Sequence, residues 1–208
     1  MGNGQTLPGV DLDNRGTIDD GTLARAVSPP PGPIGLDSKS GSAKPARASI
    51  ADRIVSFARR QRGERVGDGQ CYAFADRALG QADAKSARDY GTITPDADYV
   101  WGTSVTLADL QPGDVIQFRD YSYDRRIVIE RSDETVTRED SQSRPHHTAI
   151  VQSVDGNGAV TVWEQNAPDG SPVGRTQLFF TSGTTTSGNQ TTTIAVHGTF
   201  WFYRPEAR

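Results

Sequence analysis

The only cysteine of the 208-residue chain, Cys71, lies where a glycine-rich turn gives way to a helical pattern. Gly67 and Gly69 precede it, and the apolar residues after it recur at the spacing of one buried helix face. Cys71 is therefore predicted in the first turn of a helix, where free backbone N–H groups and the helix dipole lower the pKa of a thiol. A lone cysteine is also often a small buried apolar residue, so the interpretation as a nucleophile depends on its neighbours.

A nucleophilic thiol needs a base, and the base needs an orienting group. The chain has three histidines, and two of them, His146 and His147, begin an apolar strand on which neighbours face opposite ways, so at most one can face the thiol. The third, His197, lies in the last predicted strand and is interpreted as structural. Asp155-Gly156-Asn157-Gly158 predicts a hairpin that places Glu164 almost directly opposite His147.

The elements that would position these residues follow a simple order. A first helix is predicted from Ser49 to about Gln61, and the Cys71 helix follows it. Later segments read as strands, at 115–118, 127–129, 135–137, 147–154, 159–165, 176–180 and 191–203. The polar segment 181–190 is predicted to be a loop. Helices followed by antiparallel strands indicate an α+β domain with N-terminal helices packed on an antiparallel sheet.

Composition limits the other classes. Residues 1–48 are rich in Pro, Gly and Ser and lack apolar periodicity, so they are predicted to be a disordered tail or linker before a catalytic domain at 49–208. A net charge of -4 gives no electrostatic case for nucleic acid or an anionic membrane as a partner. No apolar run has the length of a membrane span, and one cysteine excludes an intramolecular disulfide or a multi-cysteine zinc site.

Four short motifs occur in the order seen in one family: Gln70-Cys71, 110–116 (LQPGDVI), 147–151 (HTAIV) and 164–166 (EQN). On these motifs the segment 50–205 resembles the CHAP family, within the NlpC/P60 group of papain-like cysteine peptidases. The resemblance implies a papain-like α+β fold and a peptidoglycan amidase or endopeptidase. The segment 119–145 is longer and more charged than is usual before the histidine strand.

The resemblance also implies residue roles. Cys71 would be the nucleophile, His147 the general base, Glu164 the acidic orienting residue and Asn166 its accompanying amide. Gln70 and the Cys71 backbone N–H would form the oxyanion hole. The extra His146 leaves the assignment of the base to His147 open to test. This chemistry requires neither a metal nor a cofactor.

Three aromatic residues are predicted to line a substrate groove: Tyr99, Trp101 and Trp163. The alternative for the aromatics of the irregular segment 80–109 is that they cover one edge of the core.

The expected partner is a peptidoglycan stem peptide or cross-bridge. The N-terminus has no ordinary signal peptide, so a leaderless or specialised export route to the periplasm or exterior is expected, as for a phage lysin or an injected antibacterial effector with an inhibitory immunity protein. Two alternatives remain. One is a papain-like protease acting on a host protein, for which the N-myristoylation-like start Met1-Gly2 is the sequence support. The other is a catalytically inactive binding module.

Overall fold

Two α-helices precede a seven-stranded sheet in the part of the chain that the computed structural model describes, residues 48–208. These residues lie in one compact unit, Pro45–Arg208. The predicted tail, 1–48, falls outside the described residues except for Ala48, and its boundary with the domain stays a prediction.

Helix α1 spans Ile50–Arg60 and begins where the sequence predicts. The Ser49 hydroxyl accepts a hydrogen bond from the Asp52 N–H at 3.0 Å, and Asp52 Oδ2 accepts one from the Ser49 N–H at 3.2 Å. This capping box satisfies two backbone donors that have no partner within the helix. The buried side of α1 carries Ile54, Phe57 and Ala58.

Helix α2 spans Cys71–Gln81 and confirms the second predicted helix. The turn before it depends on Gly67, which has a φ of +66° and lies so close to α2 that an added Cβ would sit 2.8 Å from the Ala73 Cβ. A residue with a side chain would be strained there in both respects. The buried side of α2 carries Phe74, Ala75, Ala78 and Leu79. Phe74 stacks on Phe57 of α1.

The strands are β1 (Thr103–Val105), β2 (Val115–Glu130), β3 (Thr135–Gly156), β4 (Ala159–Glu164), β5 (Gly174–Phe179), β6 (Gly183–Ser187) and β7 (Gln190–Arg204). The sheet order is β1-β7-β2-β3-β4-β5, with β6 paired to β7, and every one of these pairings is antiparallel. Short 3-10 turns lie at Ala87–Asp89 and Leu107–Asp109. The predicted α+β class is confirmed for the described residues.

The sequence predicts a hairpin of two short strands, 127–129 and 135–137, and the structure confirms this hairpin but shows that its strands are much longer. The whole segment 119–145 belongs to the two paired strands and the turn between them. It continues β2 and β3 into one long hairpin, closed by a turn in which the Arg131 N–H donates to the Glu134 carbonyl at 2.8 Å. Much of this extension is exposed, so its side chains lack the apolar alternation by which strands are recognised. Its backbone pairs with β7 along the other edge of β2.

The prediction of a loop at 181–190 is wrong. Residues Gly183–Ser187 form β6, which turns at Gly188 with a φ of +58° and pairs with β7. Threonines face each other across this ladder and exchange hydrogen bonds, at 3.1 Å between Thr184 and Thr193 and at 3.2 Å between Thr186 and Thr191. Threonine favours strands although it is polar, and polarity alone predicted a loop.

The predicted hairpin between β3 and β4 is confirmed, with Asn157 and Gly158 at its tip in the positive-φ conformation of a two-residue turn. Its predicted register is wrong. The turn is centred between Asn157 and Gly158, further along the chain than the sequence indicates. Two register shifts between β3 and β4 bring the pairing only part of the way back to the predicted register, so Ile150 pairs with Trp163. Continuing that register puts Glu164 level with Ala149. His147 is therefore a diagonal neighbour of Glu164 on the same strand face.

The sheet carries buried residues on both faces, as expected from strand alternation. The helices pack on a cluster that includes Trp101, Val115, Ile150, Trp163 and Tyr203. A second cluster includes Ile116, Phe118, Tyr121, Val151, Val162, Leu178 and Phe180.

Candidate active site

The chain just before Cys71 is tied to the end of β4 by a buried amide. Gln165 Oε1 accepts from the Val66 N–H at 2.6 Å, while Gln165 Nε2 donates to the carbonyls of Val66 and Gln70, each at 3.0 Å. All three polar contacts of this side chain go to backbone. Gln165 therefore fixes the first turn of α2 against the strand that carries Glu164.

His147 contacts both the thiol and a carboxylate. Cys71 and His147 share a side-chain hydrogen bond, and the backbone N–H groups of Tyr72 and Thr148 also face the sulfur. His147 Nε2 lies 3.1 Å from Glu164 Oε2. The ring N–H is poorly aligned with that oxygen, so this contact is an ion pair more than a well-formed hydrogen bond. Such contacts often tighten only when a substrate is bound.

The two groups shift each other's pKa. Burial raises the pKa of the Cys71 thiol, but the hydrogen bond and charge of His147, with the two backbone donors, outweigh it and the net change is downward. Burial lowers the pKa of His147, but Cys71 and Glu164 overcome this and raise it to about 9. Both directions favour a thiolate beside an imidazolium at neutral pH, the form in which a cysteine is nucleophilic.

The Glu164 carboxylate is held on its other side by Arg144, which the sequence analysis missed. Arg144 Nε donates to Oε2 at 2.8 Å and Nη2 to Oε1 at 2.6 Å, a bidentate fork in which the side chains are only 5% and 1% exposed. Burial raises the pKa of Glu164, but His147 and Arg144 lower it to about 2. The available signal was indirect: a buried carboxylate needs a compensating cation.

Cys71 lies where two clefts meet. The first, which we call the polar cleft, has a volume of about 570 Å³ and runs along residues 141–147 and 166–169. The second, which we call the apolar cleft, has a volume of about 390 Å³ and is lined by Tyr72, Ile93, Pro95 and Tyr99 among others. Gln70, Cys71 and His146 line both. The thiol thus lies part-way along a groove that passes on both sides of it.

Residues 27–184 match the family model described as the AIM3/BBC1 cysteine proteinase-fold domain. This match spans more than half of the chain and includes every residue of the Cys71–His147–Glu164–Arg144 cluster. The chain belongs to the AIM3/BBC1 cysteine proteinase-fold family. Among curated proteins and among solved structures, the searches found no match.

Membership in the AIM3/BBC1 family supports a papain-like cysteine-peptidase fold. It does not single out the CHAP or NlpC/P60 groups that the four motifs resemble. The order of the described elements agrees with the coarser description, because a helix bearing the cysteine precedes antiparallel strands bearing the histidine and the carboxylate.

In this AIM3/BBC1 domain, Asn166 contacts Gln70 and not the imidazole. Asn166 Oδ1 accepts from the Gly170 N–H at 2.6 Å, and Asn166 Nδ2 donates to Gln70 Oε1 at 3.2 Å. The first bond fixes which end of the Asn166 amide is the donor, and the second then fixes the Gln70 amide. Gln70 therefore turns its NH₂ group away from Asn166. Asn166 orients a residue of the predicted oxyanion hole, whereas the resemblance implies that it accompanies Glu164.

Of the three aromatic residues predicted to line a groove, one lines a cleft and two are part of the core. Tyr99 lines the apolar cleft. Trp101 is fully buried, and its Nε1 donates to Gln117 Oε1 at 3.2 Å, so it belongs to the core. Trp163 is 3% exposed and packs in the same cluster. The alternative that the aromatics of 80–109 cover the core is correct for Trp101. Trp163, for which the sequence predicts only a place in the groove, also packs in the core on the helix-covered face of the sheet.

The side chains of the other two histidines have other surroundings and other contacts than the thiol–imidazole pair. His146 is half-buried: its Nε2 lies 2.9 Å from the Ala97 carbonyl, and its ring packs on Tyr99. His197 is exposed on β7, opposite Ser122. Of the three histidines, His147 is the one whose side chain contacts Cys71.

Within residues 48–208, no group of three or more His, Cys, Asp or Glu side chains has an arrangement that would hold a metal ion. In the same range, none of the helices combines the length and apolarity needed to span a membrane.

Proposed function

We propose that this chain is a cysteine hydrolase that cleaves amide bonds in an extended peptide. One observation carries the proposal: a thiol hydrogen-bonded to a buried histidine, itself paired with a buried carboxylate, lies at the junction of two clefts. A structural cysteine would need neither an ionised partner nor access from a groove.

The proposed reaction is acyl transfer. The Cys71 thiolate attacks the amide carbonyl carbon, forming a C–S bond, while the carbonyl oxygen takes up negative charge beside the Cys71 N–H and the Gln70 amide. The His147 imidazolium gives its proton to the amide nitrogen, and the C–N bond breaks to release an amine. Water, losing a proton to His147, then attacks the thioester and releases a carboxylic acid and the thiolate with its imidazolium partner. Glu164 and Arg144 position the imidazole throughout.

For the substrate, the resemblance to CHAP proteins supports peptidoglycan, whose stem peptides and cross-bridges are built of amide bonds. In that case the chain would act in the periplasm or outside the cell, and an inhibitory immunity protein would be a partner. The test is digestion of purified sacculi by the wild type and by Cys71→Ala, with mass spectrometry of the released muropeptides. The expected result is fragments from the wild type only.

A protein substrate is the second candidate, and the description of the matched family as a cysteine proteinase fold supports it. The parallel test incubates unfolded proteins with the same two variants and maps new N-termini. His197→Gln serves as a control that should behave as the wild type, because this exposed histidine does not line either cleft. If neither substrate is cut and Cys71 does not react with iodoacetamide faster than a free thiol, the chain is a binding module and the proposal fails.

A further inference from the structure

We propose that the free edge of β3 at residues 141–143 binds the amine-side part of the substrate, the part that leaves with the amine, as an added antiparallel strand. The substrate is then an extended polypeptide that continues roughly five to seven residues beyond the scissile bond. This inference rests on the proposed function. It assigns a role to the long hairpin, which the resemblance does not supply.

β3 has a strand neighbour on one side only along most of the hairpin. Its ladder with β2 covers 135–150, whereas its ladder with β4 covers 150–156. Within residues 48–208, no strand therefore pairs with the other edge of β3 before Ile150. An unpaired strand edge of this kind can bind an extended chain through main-chain hydrogen bonds.

The hydrogen-bond pattern shows which backbone groups this free edge presents. The Glu130 N–H donates to the Asn189 carbonyl at 2.8 Å, so it points toward β7 and away from the β3 partner of Glu130, Thr135. In an antiparallel ladder such outward-facing pairs recur at every second position. Following this alternation along the register, Ser141 and Ser143 also direct their N–H and C=O groups away from β2.

The contacts of the outward-facing groups agree with this orientation. The Ser143 carbonyl accepts from Arg144 Nη1 at 2.7 Å, and the Arg144 side chain lies along the polar cleft. A carbonyl oxygen has a second lone pair, and no strand of the described residues lies on that side. The N–H groups of Ser141 and Ser143 and both carbonyls can therefore bind a ligand.

Charge restricts where along the edge a chain can add. Residues 138–140 (RED), nearer to the tip of the hairpin, are charged and exposed, which disfavours pairing with another chain. Residues 141–143 (SQS) are exposed and uncharged. The uncharged part is also the part that lines the polar cleft.

The polar cleft connects this edge with the thiol. It is lined by 141–147 of β3 and by 166–169, which follow the end of β4. The cleft thus lies where β4 would pair with β3 if it continued. Its second wall is braced, because the Asn166 N–H donates to the Ser171 carbonyl at 3.0 Å and the Ala167 N–H to Ser171 Oγ at 2.9 Å. A preformed cleft binds a chain at a smaller ordering cost.

The proposed chemistry fixes the direction of the bound chain. His147 gives its proton to the leaving amine, and His147 lines the polar cleft but not the apolar cleft. The amine side therefore extends from Cys71 along the polar cleft, and its N-to-C direction is opposite to that of β3. Ser143 and Ser141 precede Thr148, whose N–H faces the sulfur, by five and seven residues. This spacing sets the length of substrate that the edge can bind.

The test measures the binding of peptidyl α-ketoamides to the full chain. The Cys71 thiolate adds reversibly to the ketone carbon and forms a C–S bond, while the ketone oxygen takes a proton from His147. The reagents share one acyl part and carry two, four, six or eight alternating threonine and glutamine residues on the amide nitrogen. Protection of Cys71 from iodoacetamide, followed by mass spectrometry, gives the dissociation constant.

We expect the six- and eight-residue reagents to bind roughly tenfold more tightly than the two-residue reagent, which corresponds to one or two net hydrogen bonds. Equal affinity at all lengths would overturn the inference and leave the proposed function standing. Absence of protection by any of the reagents would overturn both. Length-dependent affinity in a chain that digests neither sacculi nor proteins would refute the proposed function alone.

Two proline variants locate the effect. Ser141→Pro removes an outward-facing N–H and should reduce the gain from the longer extensions to less than about threefold. The two-residue reagent ends before Ser141, so its unchanged affinity would report a folded site. Thr137→Pro is the matched control, because Thr137 faces outward on the same edge but does not line the cleft. It should keep the full gain, and an equal loss in both variants would contradict the assignment to 141–143.

Single N-methyl groups in the eight-residue extension test for strand pairing itself. Antiparallel hydrogen bonds involve every second residue. Affinity should therefore fall by roughly three- to tenfold when alternate amides are methylated, and stay unchanged when the amides between them are methylated. An equal effect at every position would exclude an added strand.

Discussion

Replacing Arg144 by methionine should be among the most destabilising single changes in the described residues. Arg144 and Glu164 form a bidentate pair with side chains 5% and 1% exposed. Methionine fills a similar space but leaves the Glu164 carboxylate with His147 as its one remaining cation. Removing one partner of a buried pair typically costs about 3–5 kcal/mol, since the other charge stays buried without compensation.

That cost is a large share of the roughly 5–15 kcal/mol by which a domain is stable. For a chain of this size each kcal/mol corresponds to about 2–4 °C, so Arg144→Met should lower Tm by roughly 6–20 °C. The assay is urea and thermal unfolding at pH 7 followed by circular dichroism. Arg126→Met is the matched control, because Arg126 lies on the same hairpin extension and its pair with Glu139 is mostly exposed. It should cost about 0–1 kcal/mol.

The double variant Arg144→Met, Glu164→Gln tests whether the uncompensated carboxylate causes the loss of stability. If the buried charge causes the loss of stability, neutralising Glu164 should recover part of that stability.

The pH dependence of the free energy of unfolding has a definite sign. The folded-state pKa of Glu164, about 2, lies below its unfolded value of about 4.3. The ionised carboxylate therefore stabilises the wild type fully above about pH 4.3 and loses this effect as pH falls toward 2. The gap between the wild type and Arg144→Met should therefore narrow in acid. A cost below about 1 kcal/mol at pH 7, or the same cost with Gln at 164, would refute the reasoning.

Two further predictions concern the thiol and the oxyanion hole. In His147→Gln, the imidazolium no longer opposes the effect of burial on the Cys71 thiol. The midpoint of the pH profile for iodoacetamide labelling of Cys71 should therefore rise above the ordinary thiol pKa of about 8.5, whereas His146→Gln is the control. An unchanged midpoint in His147→Gln would show that the imidazole does not activate the thiol. Asn166→Ala frees the Gln70 amide and should lower kcat by about tenfold. The pH profile of Cys71 labelling should stay as in the wild type, because Asn166 contacts Gln70 and does not contact the thiol. A changed labelling profile would show that Asn166 acts on the thiol–imidazole pair.

The parts of the fold that the sequence predicts correctly depend on local signals. Ser49 followed by Asp52 marks the start of α1, and Asn157-Gly158 marks the β3–β4 turn. The parts it misses have polar or charged residues in strands: β6, and the β2–β3 extension outside 127–129 and 135–137. Both β6 and the β2 side of the extension are stabilised by ladder pairing with β7, which leaves no apolar period in the sequence. The register of β3 with β4 cannot be predicted from either segment alone, because a bulge is a property of two paired strands.

Arg144 shows the same limit at the site. On a regular strand, residues 144 and 147 would face opposite sides of the sheet, yet both contact Glu164. The alternation breaks between them, where Asp120 of β2, opposite Pro145, has a φ of +51°. Phe118 and Tyr121, three residues apart across this break, likewise share one cluster.

The neighbouring strand is adapted to that break. Gly198 of β7 has a φ of +83° and approaches Asp120 so closely that an added Cβ would lie 2.1 Å from the Asp120 carbonyl oxygen. The register of β2 with β7 shifts at the same place, between Arg119 and Ser122. Three strands thus cooperate in one irregularity, and its effect is to bring an arginine and a histidine to the same carboxylate. Bulges of this kind re-aim side chains next to active sites. The long charged hairpin is therefore part of the site, because its base supplies the cation that keeps Glu164 ionised beside His147.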